Sequence, residues 1–230
     1  MLLALDTATE IASVSIYDLN ASQLLAEWTW QARRRQTQDL LATAEHMLAS
    51  LGLTPPEVTA LAVTTGPGSF TGVRIAISAV KGIALGLSAS PRVVGVPTLC
   101  VTALPWLGLA AQLIPPPQVC AYLQAGRGRY NWAFFSPNNM FHRPGVSDHY
   151  GGSIEEFSRA LASSVGPLWL VGELDTPVAR AAAVLDHVAV VDAVSGWRRA
   201  GSLAQLAVRR LAAGLADDLK TLQPLYLRNP

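Results

Sequence analysis

The stretch Leu61-Ala62-Val63-Thr64-Thr65-Gly66-Pro67-Gly68-Ser69-Phe70-Thr71-Gly72-Val73-Arg74 decides how the chain folds. Leu61 to Thr65 is a short apolar run of strand length. It enters a turn rich in glycine, and a helical pattern follows from about Val73 to Leu87. A buried strand that passes through such a turn into a helix is the joint of an α/β fold. Glycines admit positive φ, Ser69 or Thr71 can cap the helix, and free amides at a helix start attract anions. The turn lacks the lysine of a P-loop and the spacing of a dinucleotide fingerprint, so alone it assigns no ligand.

Working outward, Leu2–Asp6 reads as a buried strand, Ala12–Asp18 alternates with period two, and Leu24–Trp30 makes a third strand of a meander. Residues 37 to 51 switch to helical spacing, with Leu40, Leu41, Ala44, Met47, Leu48 and Leu51 on one stripe and Gly52 as the stop. Thr54-Pro55-Pro56-Glu57 is a capping box opening a short turn. Val93–Val96 is a strand, and Thr98 is expected to cap an apolar helix. Val119–Leu123 and Tyr130–Phe135 form a hairpin through residues 126–128, and residues 137–152, rich in Pro, Asn, Gly and Asp, are expected to be loop. Ser153-Ile154-Glu155-Glu156 opens a helix with another capping box, Leu168–Val171 and Val188–Val191 flank a helix starting near Thr176-Pro177, and Ser202–Leu215 is the last helix. Meander, helix, strand, helix occurs twice. The order of elements implies two duplicated α/β halves, although their sequences are not recognisably alike.

Composition narrows the function. Of 230 residues, 50% are hydrophobic and 14% charged, which supplies a core and excludes a disordered chain. A net charge of +1 excludes a protein that grips nucleic acid by bulk charge. Arg33-Arg34-Arg35, Arg127/Arg129, Arg198-Arg199 and Arg209-Arg210 therefore read as solvated faces, and any RNA contact as auxiliary. Cys100 and Cys120 lack CxxC spacing and read as buried thiols of a reducing compartment. No secretory signal pattern opens the chain, so a cytoplasmic location is expected. The charge-free stretch Val93–Gly126 is interrupted by Pro105 and ended by Pro115-Pro116-Pro117. Its apolar part, Leu99–Ile114, falls short of the ~20 residues of a membrane span, so it reads as a buried helix and strand. His46, His142, His149 and His187 show no ligand spacing and no GxSxG elbow occurs, so neither a metal nor a catalytic residue is assigned.

Asp6-Thr7 ends the first strand and is open to two readings. A carboxylate there can hold a Mg²⁺ water while hydroxyls of Thr7, Thr9 and Ser13 bond a phosphate. Alternatively, Asp6 and Thr7 cap the strand end and satisfy turn amides. The absence of glycine from Asp6-Thr7-Ala8-Thr9-Glu10 hinders close approach of phosphate and favours the second reading; any phosphate site would be vestigial.

Residues Gly66 to Ile75, Gly-Pro-Gly-Ser-Phe-Thr-Gly-Val-Arg-Ile, closely resemble a signature of the TsaB (YeaZ) family. Leu3-Ala-Leu-Asp-Thr-Ala with Ala12-Ser-Val-Ser resembles the family's opening strands. Gly95-Val-Pro-Thr-Leu99, the hairpin Gln118–Phe135 and Pro224-Leu-Tyr-Leu-Arg228 resemble its later motifs. The resemblance implies an actin/sugar-kinase/Hsp70-like (ASKHA) fold of two ribonuclease-H-like halves: 1–102 with 205–230 packing back on it, and 103–204. It further implies a non-catalytic scaffold in the machinery that makes N6-threonylcarbamoyladenosine at position 37 of tRNA. The implied partners are a TsaD-like catalytic paralogue and a TsaE-like ATPase. tRNA is met through the complex, and a homodimer of the free chain is left open. No cofactor of its own is implied; ATP or ADP would belong to the complex interface.

In the paralogue, the segment resembling Val96–Thr102 carries two metal-binding histidines; here Thr98 and Thr102 stand in their place. A hydroxyl does not replace imidazole on a transition metal. Gln124 replaces the family's hairpin aspartate, Gly172-Glu173-Leu174 its GDG turn, and Gln36-Thr37 its His-Ser. An ATP-dependent small-molecule kinase of the same fold would need the carboxylate absent at Gln124, and a glycopeptidase-like metalloprotease the absent histidines. The helices of residues 36–51 and 72–87 are expected to form the partner surface, through Gln36, Leu40, Leu41, Phe70, Arg74, Ala76, Ala79 and Gly82. Gly66, Pro67, Gly68, Ser69, Thr71 and Gly72 form the signature loop that positions the second of them.

Overall fold

Strand β1 (Leu2–Asp6) is buried at all five positions, as a central strand covered on both faces must be. The computed structural model describes residues 1–126, 128–139 and 145–227. β1 pairs antiparallel with β2 (Ile11–Asp18), and β2 with β3 (Gln23–Gln31). On its other side β1 runs parallel to β4 (Ala60–Thr64), and β4 to β5 (Arg92–Val96), giving the order β3-β2-β1-β4-β5.

Alternation sorts the residues of this sheet onto two faces. Leu3, Leu5, Val14, Ile16, Leu61 and Val63 pack under α1 (Gln36–Ser50) and α2 (Phe70–Gly86), which supply Leu40, Met47, Leu48, Val73, Ala76 and Val80. The other face is paved with small residues, among them Ala4, Ser13, Ser15 and Ala62. α6 (Ala200–Ala212) closes on the sheet there, with Ala200 N–H donating to Ser13 Oγ at 2.8 Å. The first half comprises residues 1–101 and 199–225, and the second residues 102–198 with 226–227; the boundary falls inside α3 (Thr98–Ala110).

The second half repeats the connectivity. Strands β6 (Gln118–Gly126), β7 (Arg129–Phe135), β8 (Tyr150–Ser153), β9 (Leu168–Gly172) and β10 (Val188–Val190) lie in the order β10-β9-β6-β7-β8. Helices α4 (Ile154–Ala162) and α5 (Thr176–Ala182) occupy the places of α1 and α2 in the chain order. The duplication expected from element order is thus also a duplication of strand order. Phe157 is the hub of the core, its ring 4.8 Å from Trp132, 5.4 Å from Tyr122 and 5.8 Å from Tyr130, measured between centroids.

Three local expectations change. Within residues 137–152, Tyr150–Gly152 form most of β8, paired antiparallel with β7. Glycine has little strand preference of its own, so this pairing is imposed by the neighbouring strand. Helix α2 starts three residues early, at Phe70, because the Ser69 hydroxyl accepts from Gly72 N–H at 3.2 Å and caps it there. Thr98 is the first residue of α3, and its hydroxyl accepts from Gly66 N–H at 3.1 Å. Arg127, His142 and Arg228, which entered the sequence reading, lie outside the described residues. The charge-free stretch forms β5, α3 and β6, and no described helix is long and apolar enough to cross a membrane.

Candidate partner-binding groove

The loop between β4 and α2 is fastened at several points. Gly66 holds φ at +107°, a value an L side chain rarely adopts. Its carbonyl accepts from Thr98 N–H at 2.7 Å, while Leu225 N–H reaches the neighbouring Thr65 carbonyl at 2.6 Å. Gly68 and Gly72 are glycines for a different reason. A side chain at Gly68 would collide with the Ala8 carbonyl, and one at Gly72 with the Thr7 carbonyl. The Thr7 hydroxyl donates to the Gly72 carbonyl at 2.7 Å, and Ser69 N–H donates to the Ala8 carbonyl at 2.7 Å. The loop is therefore seated on the turn that follows β1.

Asp6 and Thr7 are consumed by the same fastening. Asp6 Oδ1 accepts from Ala8 N–H at 2.9 Å and from the Thr64 hydroxyl at 2.7 Å, and both residues are fully buried. This arrangement favours the strand-end reading of the pair over a phosphate cradle, because solvent and ligand do not reach the carboxylate.

Seating the loop sets where α2 begins and so what its first turns present. Phe70 is 58% exposed, and the Arg74 guanidinium carbon lies 3.7 Å from its ring centroid, a cation–π contact one turn apart. These side chains, with Thr71, Ile75, Ser78 and Ala79 of α2, form one wall of a groove of about 500 Å³. Thr37, Leu40 and Leu41 of α1 form the other wall, and Leu41 is 48% exposed. Of the residues expected on the partner surface, Phe70, Arg74, Leu41 and Gly82 are exposed and Ala79 is half-buried. Three are not surface residues. Helical periodicity turns Leu40 and Ala76 into the core, and the Gln36 amide is buried, donating to the Thr9 carbonyl at 3.3 Å. A further cavity of about 420 Å³, lined by Leu41, Leu48, Ile83 and Leu87 among others, continues the apolar surface along both helices.

The positions that depart from the resembled pattern are also placed. Thr98 and Thr102 are buried. Gln124 is exposed near the end of β6, and Glu173 follows β9, its carboxylate 3.4 Å from the buried Arg198. Among the described residues, no group of three or more His, Cys, Asp or Glu could hold a metal ion. Sequence reading passed over one feature, a separate groove formed by Trp28 and Trp30 with Asp39, Ala42, Thr43 and His46. Its signal was present in the period-two spacing of the two tryptophans, which sets both on one face of β3.

Comparison with known proteins matches residues 30–139 to the family model TsaD, tRNA N6-adenosine threonylcarbamoyltransferase. The tRNA threonylcarbamoyladenosine biosynthesis protein TsaB of Escherichia coli is 35% identical over 147 residues, 61% of this chain. The matched region spans 58% of that relative's length. Its counterpart in Haemophilus influenzae is 41% identical over 85 residues, covering 37% of this chain and 35% of the relative. Two solved structures from Pseudomonas aeruginosa superpose on nearly the whole chain. One, an uncharacterized protein with similarity to peptidase YEAZ, has a TM-score of 0.78 at 27% identity and covers 99% of each chain. The other, YeaZ, has a TM-score of 0.76 at 26% identity and covers 98% of this chain and 99% of its own. The fold is the ASKHA type, built of two ribonuclease-H-like halves.

Proposed function

We propose that this chain, as a member of the TsaB (YeaZ) family, serves threonylcarbamoyladenosine synthesis in tRNA as a non-catalytic subunit. Its α1–α2 groove grips a TsaD-like catalytic paralogue, and a TsaE-like ATPase completes the assembly. The observation that carries this reading is the groove itself. Phe70 and Leu41 stand exposed on its two walls, over a core already filled by Leu40, Ala76 and Val80. Apolar side chains held outward over a complete core are the anchors expected of a protein interface. Small residues at Ser78, Ala79 and Gly82 let a partner helix approach α2 closely. The internal commitments of Asp6, Thr7 and Thr98 support a chain that holds no nucleotide alone, with ATP or ADP belonging to the assembled interface.

The test is association with the catalytic paralogue, followed by tRNA modification with and without this chain. Replacement of a central aromatic anchor costs about 2 kcal/mol or more of binding. Phe70→Asp is expected to weaken association roughly 30-fold and to lower modification in parallel, while free-chain stability stays within about 0.5 kcal/mol. Undiminished association of Phe70→Asp would move the interface elsewhere. Full modification in the absence of this chain would end the subunit role.

A further inference from the structure

The groove of Trp28 and Trp30 lies on the opposite side of α1 from Leu41 and Phe70. Asp39, Ala42, Thr43 and His46, spaced three, four and seven residues apart, form the helix stripe that faces the two indoles across about 400 Å³. Trp28 is 49% exposed, and the His46 ring stands edge-on to it with centroids 6.1 Å apart. An indole face left this open offers a stacking surface that the chain itself does not cover.

The charge beside it is positive. Arg35 Nη2 lies 3.3 Å from Asp39 Oδ1, so a guanidinium reaches the rim of the groove and neutralises its carboxylate. Arg33 and Arg34 precede it in the turn from β3 to α1, both exposed and both left-handed, with φ of 44° and 66°. The other carboxylate of this corner is Glu10, whose carbonyl accepts from Ala32 N–H at 2.8 Å. Glu27 is directed to the other face of β3, where it accepts from Gly201 N–H. Three guanidiniums thus stand against Asp39 and Glu10.

Open aromatic faces beside arginines match single-stranded nucleic acid. Every base offers a π-face to stack, and every linkage a phosphate for arginine. A duplex offers no free base face, and a methylated cation would be repelled by the guanidinium already on Asp39. We propose that the β3–α1 groove binds single-stranded RNA, with a base stacked on Trp28 and adjoining phosphates on Arg33, Arg34 and Arg35. The proposal rests on the family role only for its natural ligand, an unpaired segment of tRNA. Through this groove the chain would touch RNA directly, with the modest affinity that a net charge of +1 permits.

The experiment uses the free full-length chain and a fluorescein-labelled eight-residue oligoadenylate, read by anisotropy at low salt. Saturable binding is expected, with a log–log salt slope of about −1.4 to −2.1 for two or three phosphates neutralised. Stacking is worth about 1–3 kcal/mol per base, so Trp28→Ala should weaken binding at least about fivefold and Trp28→Tyr should restore most of it. Arg33→Ser with Arg34→Ser should weaken binding and flatten the salt slope. Unlabelled duplex RNA of the same length should compete poorly. Melting curves establish that each variant is folded, as the exposure of these side chains leads one to expect. No binding by the natural chain, Trp28→Ala binding as tightly as the natural chain, or equal competition by duplex would each overturn the proposal. Loss of oligonucleotide binding with intact association of the paralogue sinks this groove alone. The reverse result sinks the subunit role and leaves the groove standing.

Discussion

The two halves share one strand order but finish their helical surfaces in opposite ways. In the second half, Phe157 and Leu161 of α4 are fully buried under the aromatic cluster, and the outer face of the helix carries Glu155, Glu156 and Arg159. In the first half, α2 buries Val73, Ala76 and Val80 yet also leaves Phe70 and Leu85 in solvent, Leu85 at 81% exposure. Helix α4 thus has a single apolar side, whereas α2 carries apolar residues around most of its circumference. A helix that is apolar all round needs a second cover. The difference shows that duplicated topology sets where helices lie, while side chains outside the core decide how much apolar surface each helix leaves uncovered.

The contrast breaks most visibly at its two phenylalanines. Phe157→Ala removes the hub of the closed core and should cost about 3–5 kcal/mol of stability, measured by chemical denaturation with aromatic circular dichroism as the probe. Phe70→Ala, at an exposed site, should stay within about 0.5 kcal/mol of the natural chain in the same measurement. Similar losses for both would erase the distinction between a closed half and an open one.

A smaller effect sharpens the account of how the open half is built. Gly72→Ala drives a methyl group against the Thr7 carbonyl, so a loss of about 1–3 kcal/mol is expected from overpacking. Gly82→Ala, where added carbon meets open space, should be neutral or slightly stabilising, because alanine favours the helix by about 1 kcal/mol. Equal effects at both positions, read as thermal midpoints, would show that the loop is not seated on the β1 turn as described.

The smallest expected effect is a pH dependence placed in the second half. His149 is buried, its Nδ1 donates to the Gly145 carbonyl at 2.8 Å, and burial holds its pKa below the ordinary value of 6.5. The unfolded chain then takes up the proton first, so this contribution is complete above pH 6.5 and is lost as pH falls through that value toward the folded pKa. The difference in midpoint between the natural chain and His149→Gln should therefore change between pH 7 and pH 5, against the natural chain at the acid end. A constant difference would show that His149 titrates alike in both states.

How far these features could be read in advance depended on their range. Period-two and period-3.6 patterns were enough to find β1, β2, β3, α1, β4, β6 and β7 to within a residue or two at most ends, because burial on one face is written into the spacing of apolar residues. Capping boxes at Thr54 and Ser153 were legible for the same local reason, since both partners lie three residues apart. β8 was not legible, because Gly151-Gly152 carries no strand preference and its pairing comes from β7. Within the loop, positive φ explained only Gly66. The need for glycine at Gly68 and Gly72 comes from carbonyls some sixty residues earlier in the chain.

The candidate groove divides along the same line. Its helices and its signature loop were set by the sequence, and so was the expectation that Phe70, Arg74 and Leu41 face a partner. That Leu40, Ala76 and Gln36 turn inward was settled by the angle at which each helix lies on the sheet. That angle is fixed by packing at many positions at once. Trp28 and Trp30 could be assigned to one face of a strand from spacing alone, but their meeting with His46 and Asp39 required α1 to lie across that face. By itself, then, the sequence determined element types, the doubled order of the fold and the local caps, all of which arise within a few neighbouring residues. Only the tertiary structure decided which side chains remained uncovered, because exposure is a property of what distant segments leave unfilled.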